Sequence, residues 1–181
     1  LFDVGNPPNW FIDPESGHAF PNDRHWSSLD DFSNGDIKLV WEASRFQWLV
    51  IASQGYVSIK DDSYVRLMNY WLNDWSKNNP INQGVNWKCG QEVSFRVINL
   101  LVSVYILGEY KVPEASLVLL VKEHCRRIST TLHYAVAQDN NHGTSEAAAL
   151  FIAGSWLHSI GQSNSKSNRW LKRGRIGLEE R

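Results

Sequence analysis

The chain has 181 residues, of which 43% are hydrophobic and 20% are charged, and this balance excludes an intrinsically disordered protein. The formal net charge of −1 excludes a strong electrostatic field for nucleic acid or a densely sulfated glycan. No apolar run approaches the ~20 residues of a membrane span, so we expect a soluble protein whose partners are neutral or sparsely charged.

Residues 1–35 are predicted to form an irregular arm. The stretches N-P-P-N-W, D-P-E-S-G and F-P-N-D-R-H-W are typical of turns. Four of the six prolines of the chain lie here and exclude a continuous helix: Pro7, Pro8, Pro14 and Pro21. We expect four aromatic side chains to hold the arm against the rest of the chain: Trp10, Phe11, Phe20 and Trp26.

Two helical patterns follow the arm. The first begins at Asp36 and continues to about Gly55, with one face formed by Ile37, Trp41, Ser44, Trp48 and Ile51. The second spans residues 63–77 and has an apolar stripe of Tyr64, Met68, Trp71 and Trp75.

The third helical pattern, from residue 90 or 91 to about 109, is apolar on nearly all sides and predicts a buried helix. Its polar exceptions share one stripe: Glu92, Arg96, Asn99 and Ser103. Because an isolated buried charge is costly, we expect Glu92 and Arg96 to pair with each other or with a neighbour. A structural ion pair and one wall of a binding cleft are both open interpretations of this stripe.

Three segments complete the chain. Residues 115–137 form an amphipathic helix whose outer face includes Lys122, Arg126 and Arg127, and a further helix is predicted from His142 to about Ser159. We expect residues 161–169 to be a polar linker and residues 170–181 to start another helix that the chain end truncates. The six basic side chains of residues 166–181 are most simply a solvent-exposed helix face, and the lining of a cleft is the alternative.

These patterns predict an all-α fold in one domain, residues 1–181, with helical hairpins over residues 36–160. Sequential antiparallel hairpins with alternating buried and amphipathic helices are typical of a solenoid or an α/α toroid. No exact repeat is visible, which favours the toroid. Cys89 and Cys125 have neither metal-ligand nor redox spacing, although a single disulfide between them stays open.

The main concentration of polar groups is residues 138–146, Q-D-N-N-H-G-T-S-E, between two apolar helical runs. Asp139 and Asn140 are the predicted N-cap, and His142 and Glu146 are spaced to share one helix face. A helix N-terminus favours a bound carboxylate. The simpler alternative is that these residues bind no ligand: Asp139 and Asn140 cap the helix, and His142 pairs with Glu146 on its surface.

Four segments, in order along the chain, resemble the amino-terminal helical domain of the heparinase II/III-like polysaccharide lyases. They are N-P-P-N-W-F-I-D-P-E-S-G near the start, D-I-K-L-V-W-E-A-S-R-F at 36–46, G-V-N-W-K-C-G-Q-E-V-S-F-R-V-I-N at 84–99 and N-N-H-G-T-S-E-A-A-A-L-F at 140–151. The resemblance implies an incomplete α/α toroid that is followed by a β-sandwich in the complete enzyme. The chain is therefore expected to be a fragment cut inside the toroid.

The resemblance also implies a reaction, β-elimination at a uronic acid. A base removes the proton at C5, donors neutralise the carboxylate, and the glycosidic oxygen leaves C4. The implied partner is an acidic polysaccharide, no metal or other cofactor is required, and the oligomeric state stays open. The near-neutral charge favours heparan-like regions, alginate or a bacterial uronate polysaccharide over heavily sulfated heparin.

The resemblance assigns the candidate site residues. Asn141 matches the asparagine that contacts the uronate carboxylate, and His142 matches the histidine beside it, so both are catalytic candidates. Glu146 matches the acidic residue one turn further on, and Asn140 precedes the motif; both are substrate-binding candidates.

A loop further back in the chain supplies two more substrate-binding candidates, Asn86 and Trp87, which match a segment near the cleft of the family. Glu92 and Arg96 match positions that we interpret as structural.

The acid/base tyrosine of the family and a further histidine are expected beyond residue 181, because none of the tyrosines here stands in the matching context. The fragment alone is therefore expected to be inactive. A non-catalytic carbohydrate-binding or scaffolding domain is the alternative, supported by the nine tryptophans, and a protein-binding helical repeat is the third. Export is expected for a lyase of foreign glycans, and the cytoplasm for a role in polysaccharide assembly.

Overall fold

The computed structural model describes residues 3–30 and 36–180. Within these ranges the chain forms seven α-helices, two short 3-10 turns and no β-strand, which confirms the predicted all-α class. The helices are α1 (Ile37–Ser44), α2 (Gln47–Ile59), α3 (Ser63–Asn78), α4 (Gly90–Leu107), α5 (Ala115–Ala137), α6 (Asn141–Ser159) and α7 (Ser165–Glu179). The 3-10 turns are Trp26–Ser28 and Val85–Trp87.

The helices pack in two layers. The inner row is α2, α4 and α6 side by side, while α3 packs on α2, α5 on α4 and α6, and α7 on α6 and α5. This is the arrangement of an incomplete α/α toroid. Its core is filled by fully buried side chains such as Val97, Ile128 and Leu150, each of which contributes about 1.5–3 kcal/mol on burial.

Glycines bring α6 and α7 unusually close together. A Cβ on Gly174 would lie 2.5 Å from the backbone nitrogen of Phe151, and a Cβ on Gly154 would lie 2.8 Å from the Cβ of Leu171. Both distances are shorter than real contacts, so only glycine fits at these two positions.

The arm is held down by its aromatic residues, as predicted. Trp10 is 2% exposed and Phe20 is 5% exposed, and Phe11 and Trp26 pack on the core at its edge. The indole nitrogen of Trp10 donates to Asp74 Oδ1 over 2.7 Å. Residues 31–35 of the arm lie outside the described residues.

The single helix predicted from Asp36 to about Gly55 is wrong, because the chain breaks at Arg45 and Phe46. Phe46 has a left-handed backbone, φ +63°, and separates α1 from α2. Tertiary contacts impose this conformation: Phe46 is fully buried edge-on to Trp75, and Asn99 Nδ2 donates to the carbonyl oxygen of Arg45 over 2.7 Å. Helical periodicity continues through the break and does not reveal it.

The segment expected to be a linker, residues 161–169, is already helical from Ser165. Asn164 caps α7, accepting from the backbone nitrogens of Lys166 and Ser167, and the Ser167 hydroxyl accepts from the backbone nitrogen of Asn164. Serine and asparagine are capping residues as well as loop residues, so their composition concealed the start of the helix.

Helix α4 corrects the expectation that no segment is apolar enough to span a membrane. It has the length and the mean hydropathy, 1.2, of a membrane span, and 56% of it is buried inside the protein, as is usual for a core helix. Cys89 and Cys125 are both free thiols in the described structure.

Candidate active site

The N-terminus of α6 presents two of the predicted site residues at the surface. Asn140 is the N-cap, as predicted, and its Oδ1 accepts from the backbone nitrogen of His142 over 2.9 Å. Asn141 and His142 form the start of the first turn, where Asn141 is exposed and His142 is partly exposed. Their side chains therefore stand beside the free backbone N–H groups of a helix start.

The N-termini of α4 and α6 meet at this point. Gln91, in the first turn of α4, donates from Nε2 to the hydroxyl of Ser145 over 3.3 Å. The cap residue of α4, Cys89, makes no side-chain capping bond. Two positive helix ends therefore lie together, and this favours an anion near Asn141.

Glu146 lies beneath this junction and is 2% exposed. Its Oε2 has no hydrogen-bond partner among the described residues, and a Cβ on Gly90 would overlap its Oε1. Burial raises the pKa of Glu146 to about 7, against the opposing charge of Arg127. The alternative of a surface pair with His142 requires an exposed carboxylate, so this buried position corrects it. The substrate contact expected of Glu146 stays a prediction.

Arg127 supports the junction from α5 and was wrongly placed on a solvated face by the sequence. It is 3% exposed. Its Nε donates to the carbonyl of Trp87 over 2.8 Å, and its Nη2 donates to the carbonyl of Lys88 over 2.6 Å. The guanidinium also stacks on Trp26, 3.7 Å from the ring centre. Burial lowers its pKa to about 10, which the charge of Glu146 opposes. Arg127 thus joins the arm to the loop before α4, and its charge acts on the buried acid.

Glu92 pairs with a neighbour rather than with Arg96. The Arg45 guanidinium donates to both Glu92 oxygens, over 2.7 Å from Nε and 2.9 Å from Nη2, and it also pairs with Glu42. This bond raises the pKa of Arg45, with burial opposing it. The pair connects the end of α1 to the first turn of α4.

The expected ion pair of Arg96 is wrong for the described part of the chain. Arg96 is fully buried and donates to the carbonyl of Asn86 over 2.5 Å and to His124 Nε2 over 3.1 Å. Its guanidinium lies 5.1 Å from the ring centre of Trp75 and 5.6 Å from that of Trp87. Burial without a bonded carboxylate lowers the pKa of Arg96 to about 9. The aromatic faces and the carbonyl of Asn86 therefore stabilise the guanidinium in place of the expected acid.

Asn86 and Trp87, the other two predicted substrate-binding residues, are both fully buried. Asn86 Nδ2 donates to the carbonyl of Trp10 and to Asn79 Oδ1, each over 2.9 Å, and the indole of Trp87 donates to the carbonyl of Asn79 over 3.2 Å. Neither side chain offers a surface to a polysaccharide in this arrangement. Both instead hold the loop from which α4 starts.

The sequence missed Gly90, Gln91 and Arg127, all of which build the junction. The sequence carries no local signal for Arg127, because helical spacing places it outside the apolar stripe of α5. The described ranges contain no group of three His, Cys, Asp or Glu side chains that could hold a metal ion. Two cavities, of about 320 and 690 Å³, lie against the arm, and residues 140–146 line neither.

Comparison with known proteins gives one family. The family model described as Heparinase II/III N-terminus matches residues 2–180. No curated protein and no solved structure matches the chain.

Proposed function

The chain belongs to the heparinase II/III N-terminus family, and on this premise we propose that the complete protein is a polysaccharide lyase that cleaves uronate-containing glycans by β-elimination. In this proposal the start of α6 supplies the side of the cleft that neutralises the uronate carboxylate. The supporting observation is the exposed Asn141 beside His142, at the point where the N-termini of α4 and α6 meet.

Neutralisation of the carboxylate is the main way to lower the activation barrier of this reaction. An ionised carboxylate stabilises an adjacent carbanion poorly, so removal of the C5 proton needs hydrogen-bond donors aimed at the carboxylate oxygens where negative charge develops. The amide of Asn141, the free N–H groups of the first turn of α6 and the two positive helix ends are such donors. His142 stands on the same turn and completes the polar wall beside the sugar.

The buried groups keep these donors in place. Gln91 joins the two helix starts through Ser145, Glu146 fills the contact between them, and Arg127 fixes the loop before α4. Donors that are held rigidly before the reaction need no reorganisation when charge develops, which is the source of their effect on the rate.

The proposal is tested by an elimination assay on the complete protein. A panel of uronate polysaccharides is supplied, and the ultraviolet absorbance of the C4–C5 unsaturated product is followed. Asn141→Ala is expected to lower kcat by roughly 10²–10³, the loss typical of one donor to a developing oxyanion. Asn69→Ala, the same change at an exposed position of α3, is the matched control and is expected to retain full activity. Unchanged elimination by Asn141→Ala would contradict the assigned role.

A non-catalytic carbohydrate-binding domain is the second candidate, and the partly buried Trp48 and Trp71 at the wall of a cavity favour it. It predicts saturable quenching of tryptophan fluorescence by oligosaccharides, with no product from any member of the panel.

A further inference from the structure

A cavity of about 320 Å³ lies between the arm and helices α1 to α3. This volume is within the range of about 300–1,000 Å³ that is usual for small-molecule sites. Its walls are mainly apolar and include the indoles of Trp48 and Trp71, with Pro8 and Ile12 from the arm and Ala43 from α1. We call it the Trp48–Trp71 cavity.

The two indoles are rigid, and their polar atoms are already used. The ring centres lie 5.2 Å apart at an interplanar angle of 69°. The indole nitrogen of Trp48 donates to the carbonyl of Ala43 over 3.2 Å, and that of Trp71 donates to Asn6 Oδ1 over 2.7 Å. The rings therefore present carbon surfaces to a ligand, and such surfaces suit the C–H face of a sugar ring.

The charge of the cavity selects against a uronate. Of the described residues that line it, Glu42 is the one ionisable group, and its carboxylate repels a second carboxylate. Arg45 pairs with Glu42 but also donates to both oxygens of Glu92. Its single positive charge is therefore shared between two carboxylates. A neutral sugar avoids this repulsion, and its hydroxyl groups can donate to the carboxylate of Glu42.

The cavity is connected to the start of α6 through a chain of contacts along one end of the inner helix row. Glu42 pairs with Arg45, Arg45 pairs with Glu92 in the first turn of α4, and Gln91 of the same turn bonds Ser145 of α6. The row α2, α4, α6 contains two helix spacings of ~8–10 Å each. An extended oligosaccharide can therefore reach from one site to the other.

We propose that the Trp48–Trp71 cavity is a subsite for a neutral sugar unit of the glycan whose uronate lies at the start of α6. The cavity then selects glycans in which uronates and neutral sugars are combined. Its place in the elimination reaction rests on the proposed function, whereas its binding of a neutral sugar does not.

The test measures binding to the 181-residue chain by calorimetry and tryptophan fluorescence. The probes are neutral tetrasaccharides of β-linked glucose and of β-linked N-acetylglucosamine, and a tetragalacturonate. Ala43→Leu fills the cavity from its wall and is expected to weaken binding of a neutral tetrasaccharide at least tenfold. Ala137→Leu, the same change at an exposed position of α5, is expected to bind it as the unchanged chain does.

Two results would overturn the subsite. One is no binding of either neutral tetrasaccharide at millimolar concentration, and the other is equal binding by Ala43→Leu and Ala137→Leu. The specificity of the cavity for neutral sugars would be overturned if the chain bound tetragalacturonate more tightly than the neutral tetrasaccharides and Ala43→Leu abolished that binding. Should Ala43→Leu not fold, as judged by circular dichroism, Glu42→Gln decides: it is expected to improve galacturonate binding relative to the neutral sugars, and an unchanged ratio overturns the assignment.

The subsite and the proposed function fail separately. The subsite is kept and the function assigned to α6 is rejected if Ala43→Leu loses neutral-sugar binding while Asn141→Ala in the complete protein keeps full elimination. The function is kept and the subsite is rejected if Asn141→Ala loses elimination while the two alanine-to-leucine variants bind the sugar equally.

Discussion

The side-chain carboxyl group of Glu146 packs directly against the Cα of Gly90, so the first turn of α4 and the second turn of α6 touch through a glycine and a buried acid. The acid is one turn below Asn141 and His142 in the same helix. The position of the two helix starts therefore depends on a group whose protonation changes near neutral pH.

The first prediction concerns the pH dependence of stability. The pKa of Glu146 is raised from 4.5 to about 7 in the folded chain. Between these values the folded state holds a proton that the unfolded state has lost, so the contribution of Glu146 to the free energy of unfolding falls as pH rises, by about 3 kcal/mol in total above pH 7. Glu146→Gln is expected to remove this decline, which is measured as the difference between the urea-denaturation profiles of the two chains from pH 4 to pH 9, because the opposite contribution of His124 is common to both.

Glu109→Gln is the control for this prediction, because Glu109 is exposed beyond the end of α4. It is expected to leave the pH dependence as it is in the unchanged chain. A decline that persists in Glu146→Gln would assign the effect to a different group.

The second prediction concerns the glycine of the same contact. Gly90→Ala places a methyl group where Glu146 Oε1 lies, and overpacking of this kind costs typically 1–3 kcal/mol. The double variant Gly90→Ala, Glu146→Ala removes the overlapping atoms, so the two changes are expected to be non-additive in chemical denaturation.

Gly174→Ala provides the comparison, since its new methyl group would meet the backbone of Phe151 and Ala147 rather than a side-chain end. No side-chain truncation is expected to rescue it. Additive costs in the Gly90 and Glu146 cycle would show that the carboxyl group moves aside without penalty.

Local patterns predicted most of the helices, because each buried face repeats with helical spacing. Helix α5 has the predicted bounds, and Asn140 caps α6 as its type and position indicated. The break at Phe46 was not predictable, because a bulky residue with positive φ is held there by partners distant in sequence, Trp75 and Asn99.

The candidate site was predicted only where it depends on one helix. Asn141 and His142 lie at the surface, as a helix start requires. Glu146 was expected beside His142, but a contact with α4 turns it inward, and spacing within α6 carries no information about α4. Asn86 is buried for the same reason, since the backbone of the arm at Trp10 accepts its hydrogen bond.

The third prediction concerns acid sensitivity. His124 is fully buried in contact with Arg96, and burial lowers its pKa from 6.5 to about 3. Between these values the unfolded state binds a proton that the folded state does not, so the contribution of His124 to stability falls as pH falls from 6.5 to 3, by about 5 kcal/mol in total. His124→Gln is expected to make this acid limb shallower in urea denaturation, and His133→Gln, at an exposed position of the same helix, is expected to leave it unchanged. An equally steep limb in both variants would exclude His124 as its cause.

The fourth prediction compares two ion pairs of different burial. Glu92 is buried and receives two hydrogen bonds from Arg45, whereas Arg175 and Glu179 are both mostly exposed and 3.7 Å apart. Loss of Arg45 leaves the buried carboxylate of Glu92 without its partner, so Arg45→Ala is expected to cost about 3–5 kcal/mol, while Glu179→Ala is expected to cost less than about 1 kcal/mol. Double-mutant cycles with Glu92→Ala and Arg175→Ala measure the two coupling energies by denaturation. Equal coupling energies for the two pairs would show that burial does not set the strength of the Arg45 contact.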